Sequence, residues 1–319
     1  MFDSSAILER RRDMICYDSK TMQICDIFEP TVVALGTFDG AHLGHISVFS
    51  ACRALARELG AKSAVYTFSS SPKDFLCSQS SRSIFTIDEK IRAIRSLGID
   101  YICIEDFENV SSMSGDDFLR SVLVDKMRAV GACCGFNYKF GKGASCSADD
   151  LRAFFEKAGG CVRICDKIPF ENGTLSSSAL RKKIEAGNVE DIISVSRPYS
   201  IYAKVEHGKE LGRTIGIPTI NQLFPDGKVV PTDGVYITEC EIGEDAYPSI
   251  TNVGTRPTVE GDATRNIETH IIGYDGYLYG SYVRVNFYKK IRDEKIFSSL
   301  EELRAEIEKN IKSAIEYFK

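Results

Sequence analysis

No apolar run in this 319-residue chain approaches the ~20 residues that a membrane-spanning helix needs, so none is expected. The opening stretch MFDSSAILERRRDMICYDSK carries acidic groups and no uninterrupted apolar segment, so it does not read as a secretory signal. Basic charge is not in excess. Forty Lys and Arg stand against 45 Asp and Glu, a net charge of -5, which argues against a dedicated nucleic-acid binder. The eleven cysteines include no CxxC and no metal-ligand spacing. They are expected to be buried, reduced thiols acting as small hydrophobes, which suits a reducing cytoplasm. Internal repeats and low-complexity tracts are lacking too.

What remains is an ordinary globular composition, 43% hydrophobic and 27% charged. At roughly 100–200 residues per domain, the length fits two domains. In the first half, short apolar runs alternate with helical periodicity. Strands are expected at 31–36, 63–68, 101–104, 130–134 and 161–165. Helices are expected at 45–59, 88–97, 116–128 and 149–158. Such alternation predicts a doubly wound parallel sheet, in which ligands sit beyond the carboxyl ends of the strands. After about residue 185 the helical period fades. Strands are expected at 199–205, 234–240, 267–272 and 282–288, with turns at Asp226-Gly227 and Asp275-Gly276, the second reading as a hairpin. This predicts a small antiparallel β-barrel or sandwich. A last helix is expected to open on a Ser299–Glu302 capping box and to bury Leu300, Leu303, Ile307, Ile311 and Phe318. The linker is placed near the helical stretch 178–195, and the domains at 1–185 and 186–319.

Two segments carry chemistry. The first follows the first expected strand and reads GTFDGAHLGH, from Gly36 to His45. Glycines there allow close approach of a ligand to the backbone. His42 and His45 share one face of a helix opening, where free N–H groups already favour phosphate. Two imidazoles there can donate hydrogen bonds to a triphosphate. A pair of surface histidines is the plainer reading, but two of the chain's four histidines fall in this one loop. The second segment, GKELGRTIGIPTIN (208–221), places three glycines and two cations near Thr219 and Asn221. Alone it is weak evidence, more often turn chemistry than a phosphate cradle. It is neither a Walker A sequence nor a protein-kinase glycine loop.

These residues carry a resemblance. GTFDGAHLGH resembles the GxFDGxHxGH signature of the nucleotidyltransferase superfamily and, more narrowly, the adenylyltransferase module of prokaryotic bifunctional riboflavin kinase/FAD synthetases. Ser176-Ser177-Ser178-Ala179-Leu180-Arg181 is similar to that family's SSTxxR, and GFNYKFG (135–141) to its GxxFxFG. GRTIGIPTIN resembles the GRxxGxPTxN of riboflavin kinases. Arg197-Pro198-Tyr199, Gly234-Val235-Tyr236, NVGTRPT (252–258), IETH (267–270), Tyr279-Gly280 and the Arg292…Phe297 pair resemble further motifs of that module, in order. One departure stands out: the family's TFxPHP is replaced by Thr67-Phe68-Ser69-Ser70-Ser71-Pro72.

The resemblance implies an α/β doubly wound nucleotidyltransferase domain followed by a small antiparallel β-barrel with a C-terminal helix. It implies that riboflavin is phosphorylated to FMN by ATP and that FMN is adenylylated to FAD with release of pyrophosphate. In the first domain it implies catalytic roles for His42, His45 and Arg181. It places Gly36, Phe38, Asp39, Gly40, Ser176, Ser177 and Ser178 at ATP, and Phe68, Asn137 and Phe140 at FMN. In the second it makes Glu268 the catalytic base. Gly208, Gly212, Arg213, Gly216 and Pro218 would bind ATP, Arg256 and Arg292 the flavin, and Thr219 and Asn221 Mg²⁺. The chemistry at Glu268 fits, because a hydroxyl attacking the γ-phosphate must lose a proton. Expected partners are riboflavin, FMN and ATP, with no nucleic acid and no membrane; assembly into a homo-oligomer is left open. The altered Ser69-Ser70-Ser71 loop keeps an alternative in view, a riboflavin kinase with a weakened adenylyltransferase half. A nucleotidyltransferase for another phosphorylated small molecule, and a flavin carrier without chemistry, are the other readings.

Overall fold

The computed structural model describes residues 15–18, 21–72, 82–208, 212, 216–257 and 263–319, the side chains at 256–257 and 263–264 excepted. The chain divides into two compact units between Ala179 and Leu180.

In the first unit a six-stranded sheet has the order β1-β4-β3-β2-β5-β8. Its members are β1 (Ile15–Asp18), β2 (Thr31–Leu35), β3 (Lys62–Phe68), β4 (Tyr101–Glu105), β5 (Ala129–Gly135) and β8 (Cys161–Cys165). Strands β2, β3, β4, β5 and β8 pair in parallel. Val32, Val33, Ala34 and Leu35 are all buried, as a strand covered on both faces requires. One face packs on α1 (Leu43–Glu58) and α2 (Ile87–Ser96) through Phe49, Cys52, Leu55, Ile91 and Ile94. The other packs on Phe118, Val122, Leu123 and, from α3 (Ala148–Lys157), Leu151 and Phe155. The order runs outward from β2 in both directions, so the crevice of the switch point lies past the carboxyl end of β2. Two ribbons lie outside the sheet, β6 (Lys139–Phe140) with β7 (Cys146–Ser147) and β9 (Pro169–Phe170) with β10 (Gly173–Thr174).

Some expectations are corrected here. The helix expected at 116–128 is α-helical only over Gly115–Asp117 and continues as a π-helix, Phe118–Lys126. Its end is closed by Met127 N–H bonding Val122 C=O at 3.0 Å, five residues back. Strand β1 was not expected. It pairs antiparallel on the sheet edge and sets Cys16 opposite Cys103, and the two sulfurs form a disulfide. These two are therefore not reduced thiols. Eight other described cysteines are free.

In the second unit a six-stranded antiparallel sheet runs β11-β16-β13-β14-β15-β12. The strands are β11 (Tyr199–Lys204), β12 (Ile220–Leu223), β13 (Gly234–Ile242), β14 (Asp245–Pro257), β15 (Ala263–Ile271) and β16 (Tyr282–Arg292). The sheet curls nearly shut. Buried Gln222 on β12 donates to Ala203 O at 2.6 Å and Val283 O at 2.9 Å across the seam. Inside, the hydroxyls of Thr238, Thr251 and Thr269 form a chain with 2.8 Å links, so no member is left unpaired. The hairpin is not at Asp275-Gly276, because β15 and β16 are not neighbours. Among the described residues a two-residue hairpin turn instead lies at Gly243-Glu244, between β13 and β14, where Gly243 supplies a φ of 66°.

The final helix α5 (Leu300–Tyr317) packs Ile307, Ile311, Ala314 and Phe318 on Ile237 and Ile250. Leu300 stays exposed at 51%. Its cap is only half a box. The Ser299 side chain accepts from Glu302 N, but the Glu302 carboxylate takes the N–H and hydroxyl of Ser298.

Candidate active sites

Past β2 the chain makes a strained loop. Phe38, Gly40 and Ala41 all have positive φ, at 49°, 92° and 40°. Two of the three are non-glycine, a conformation that needs outside support. Asp39 supplies it: its buried carboxylate accepts from Ile84 N at 3.0 Å and Phe85 N at 2.9 Å. The Phe38 ring, also buried, abuts Phe49 and stands edge-on to His45, with centroids 4.5 and 5.3 Å away. At Gly36 a Cβ would come 2.9 Å from the Phe38 ring, and at Gly40 2.9 Å from Ile84. These residues shape the loop.

His42 caps α1 from an extended conformation without a side-chain cap bond. The rings of His42 and His45 stack with centroids 3.7 Å apart. The Nδ1 of each is buried with no hydrogen-bond partner. Burial pushes His42 down to about 4, against the pull of Asp39. Burial also pushes His45 well below its ordinary value, with the charges of His42 and Lys90 adding to the shift. Both imidazoles are therefore neutral at pH 7. Two unsatisfied ring nitrogens at a helix N-terminus fit a ligand bearing phosphate oxygens.

The serine motif meets this loop. Ser177 Oγ donates to Asp39 O at 2.7 Å, and Ser176 Oγ accepts from Ala179 N at 3.3 Å at the start of α4 (Ser177–Glu185). Ser178 and Arg181 follow on that helix. Phe68 is half-buried against Tyr66 and Phe107, Asn137 is exposed, and Phe140 is buried in the core beside Phe118.

One residue was missed. Lys90 on α2 is buried, and its ammonium donates to Phe68 O at 2.7 Å. Burial pushes it down to about 8 while Asp39 opposes the shift. In the sequence it stands in DEKIRAI, which reads as a solvated helix face.

In the second unit, Glu268 lies on β15 in register with Asn221 of β12 on one side and Asn252 of β14 on the other. Glu268 is exposed into a cavity of about 400 Å³ that Gly212, Thr219, Asn252, His270, Arg292 and Phe297 also line. Asn221 is buried, and its Oδ1 has no hydrogen-bond partner. A buried carbonyl oxygen without a donor fits a hard cation, and Thr219 stands two residues away. At Gly208 a Cβ would fall 2.3 Å from the Asn221 amide and displace it, and at Gly212 it would fall 2.2 Å from the backbone Ile217 O, so Gly212 needs glycine. Gly216 takes a φ of 76°. His270 Nδ1 donates to Pro218 O at 2.8 Å and so anchors the Pro-Thr segment. A second cavity of about 180 Å³ runs along Pro218 and Thr219 to the 274–279 segment, so Asp275-Gly276 lines a wall there. Arg292 stacks on Phe297 at 5.6 Å and faces Glu306 at 3.5 Å. Arg213 and the Arg256 side chain lie outside the described residues.

The riboflavin kinase family model matches residues 195–318, and the FAD synthetase model matches residues 25–179. A bifunctional riboflavin kinase/FMN adenylyltransferase of Bacillus subtilis is 31% identical, over 90% of this chain and 92% of its own length. The chain belongs to the bifunctional riboflavin kinase/FMN adenylyltransferase family. The family's Escherichia coli K12 member is 32% identical over 91% of this chain and 93% of its own. A crystal structure from Streptococcus pneumoniae, described as a macrolide-efflux protein, superposes with a TM-score of 0.81 at 28% identity. It covers 93% of this chain and 96% of its own. Among the described residues of this family member, no helix is long and apolar enough to cross a membrane.

Proposed function

We infer that the chain makes both flavin cofactors, phosphorylating riboflavin to FMN and adenylylating FMN to FAD. The reading assigns adenylyl transfer to a domain over 1–185 and phosphoryl transfer to one over 186–319. The observation that carries it is the placement of Glu268 between Asn221 and Asn252, in one cavity with Thr219. It sets a proton acceptor beside two oxygen donors suited to a nucleotide-bound cation.

In the kinase half, Thr219 Oγ1 and Asn221 Oδ1 would hold Mg²⁺, which when bound neutralises charge on the ATP phosphates. Gly208, Gly212, Gly216, Pro218 and Arg213 are assigned to those phosphates, glycine allowing a ligand close approach to the backbone. Glu268 takes the proton of the ribityl 5′-hydroxyl as that oxygen attacks the γ-phosphorus. Arg292 and Arg256 orient the flavin.

In the adenylyltransferase half the FMN phosphate is itself the nucleophile, and pyrophosphate leaves. His42 and His45 donate through their neutral N–H groups to the triphosphate. Arg181, with Ser176, Ser177 and Ser178, receives the departing pyrophosphate. Gly36, Phe38, Asp39 and Gly40 shape the ATP pocket, and Phe68, Asn137 and Phe140 border FMN. The Ser69-Ser70-Ser71 loop leaves the histidine pair and the serine–arginine segment intact, so the kinase-only alternative is not favoured. A cytoplasmic location goes with this reading, because both steps consume ATP.

His42→Ala should cut FAD formation from FMN by 10²–10⁴-fold, on the order of what positioned groups contribute, and leave FMN formation unchanged. Glu268→Ala should do the reverse. Rates of both steps for both purified variants test this. Loss of both activities in either folded variant would end the two-site assignment.

A further inference from the structure

On α5 one polar residue turns inward. Asn310 is 3% exposed, lines the cavity that holds Glu268, and has an Nδ2 buried without a hydrogen-bond partner. The same cavity is lined by apolar Ile217, Val235, Ile250, Phe297, Leu303 and Ile307, and by polar groups that include Thr219, Arg292 and Glu294. A buried Nδ2 without a partner is costly to the free protein. A packing role alone would be filled better by Leu.

We propose that the Asn310 amide hydrogen-bonds the pyrimidinedione edge of the flavin ring and so selects that ring as the kinase substrate. The chemistry matches in two ways. Flat apolar faces of the isoalloxazine suit walls of Ile, Leu and Phe. The dione edge alternates carbonyl acceptors with an N–H donor, and a primary amide offers both a donor and an acceptor. A half-turn of the amide exchanges its two ends, so it can meet the edge in either register. Glu268, exposed into the same cavity, would then serve the ribityl end. A site that hydrogen-bonds a substrate group rejects analogues lacking it more strongly than an apolar pocket does. This inference rests on the kinase reading of the cavity.

The test uses the full-length protein with Mg-ADP and follows riboflavin binding by fluorescence titration. Asn310→Leu should raise the riboflavin Kd about tenfold, one hydrogen bond's worth. Its melting temperature should hold or rise, because a buried unpaired amide is replaced by hydrocarbon. A riboflavin analogue with a dione carbonyl oxygen exchanged for sulfur, a weak acceptor, should bind wild type about tenfold less tightly than riboflavin. Asn310→Leu should not distinguish the two ligands, which isolates the pairwise contact. An unchanged riboflavin Kd in folded Asn310→Leu would overturn the proposal. If that variant does not fold, equal binding of the two ligands by wild type overturns it. A wild type that phosphorylates no riboflavin would instead remove the kinase reading, a result none of these comparisons imitates.

Discussion

At the scale of single residues, the histidine pair and Lys90 share one property: each is ionisable and is pushed down by burial. Burial disfavours the charged form of both stacked imidazoles, and at His45 the charges of His42 and Lys90 add to that effect, so the pair stays neutral. That neutrality has a cost in acid. His42 binds its proton at about 4 in the folded chain against 6.5 in the unfolded one. The unfolded state therefore takes up the proton first as pH falls. Stability should drop as pH goes from 6.5 toward 4, by up to about 3 kcal/mol from this residue. Urea denaturation across that window measures it, and His42→Ala should flatten the slope. A slope unchanged in His42→Ala would show that the imidazole is not held neutral by burial.

At the scale of elements, close approach sets the kinase loop. Gly208→Val should push the Asn221 amide aside, since even a Cβ would lie 2.3 Å from it. A misplacement near 1 Å costs on the order of a hundredfold, so FMN formation should fall by about that factor. FAD formation from supplied FMN should be unaffected. Assays of the two steps on the variant check both halves of the statement. The same scale shows what a sequence conceals. Strand β2 was legible because a strand buried on both faces is a continuous apolar run. Strand β14 was not: DAYPSITNVGTRP mixes Pro248 with polar residues whose inward hydroxyls find partners only in the closed barrel. Asp275-Gly276 misled because turn chemistry alone does not say whether the flanking strands meet. Gly243-Glu244 escaped because its second residue is not a turn former. The π-helical run Phe118–Lys126 has no signature in the apolar spacing, which fits an α-helix as well.

For the whole molecule, the order of the two modules was legible, since the motifs that resemble each family run in order along the chain. Lys90 and Asn310 were not, because in DEKIRAI and EKNIKSA they sit among charged neighbours and look solvated. Only the folded chain shows them buried, one near the histidine loop and one in the cavity that Glu268 lines. Nor could the spacing of cysteines reveal that Cys16 and Cys103 stand opposite each other, because β1 itself was hidden. The central claim is that one chain carries out two successive steps at two sites. A single time course tests it most directly: purified protein, riboflavin, ATP and Mg²⁺, with riboflavin, FMN and FAD separated by chromatography. FMN should rise first and then give way to FAD. FMN that accumulates with no FAD at saturating ATP would contradict the claim and leave the chain a riboflavin kinase alone.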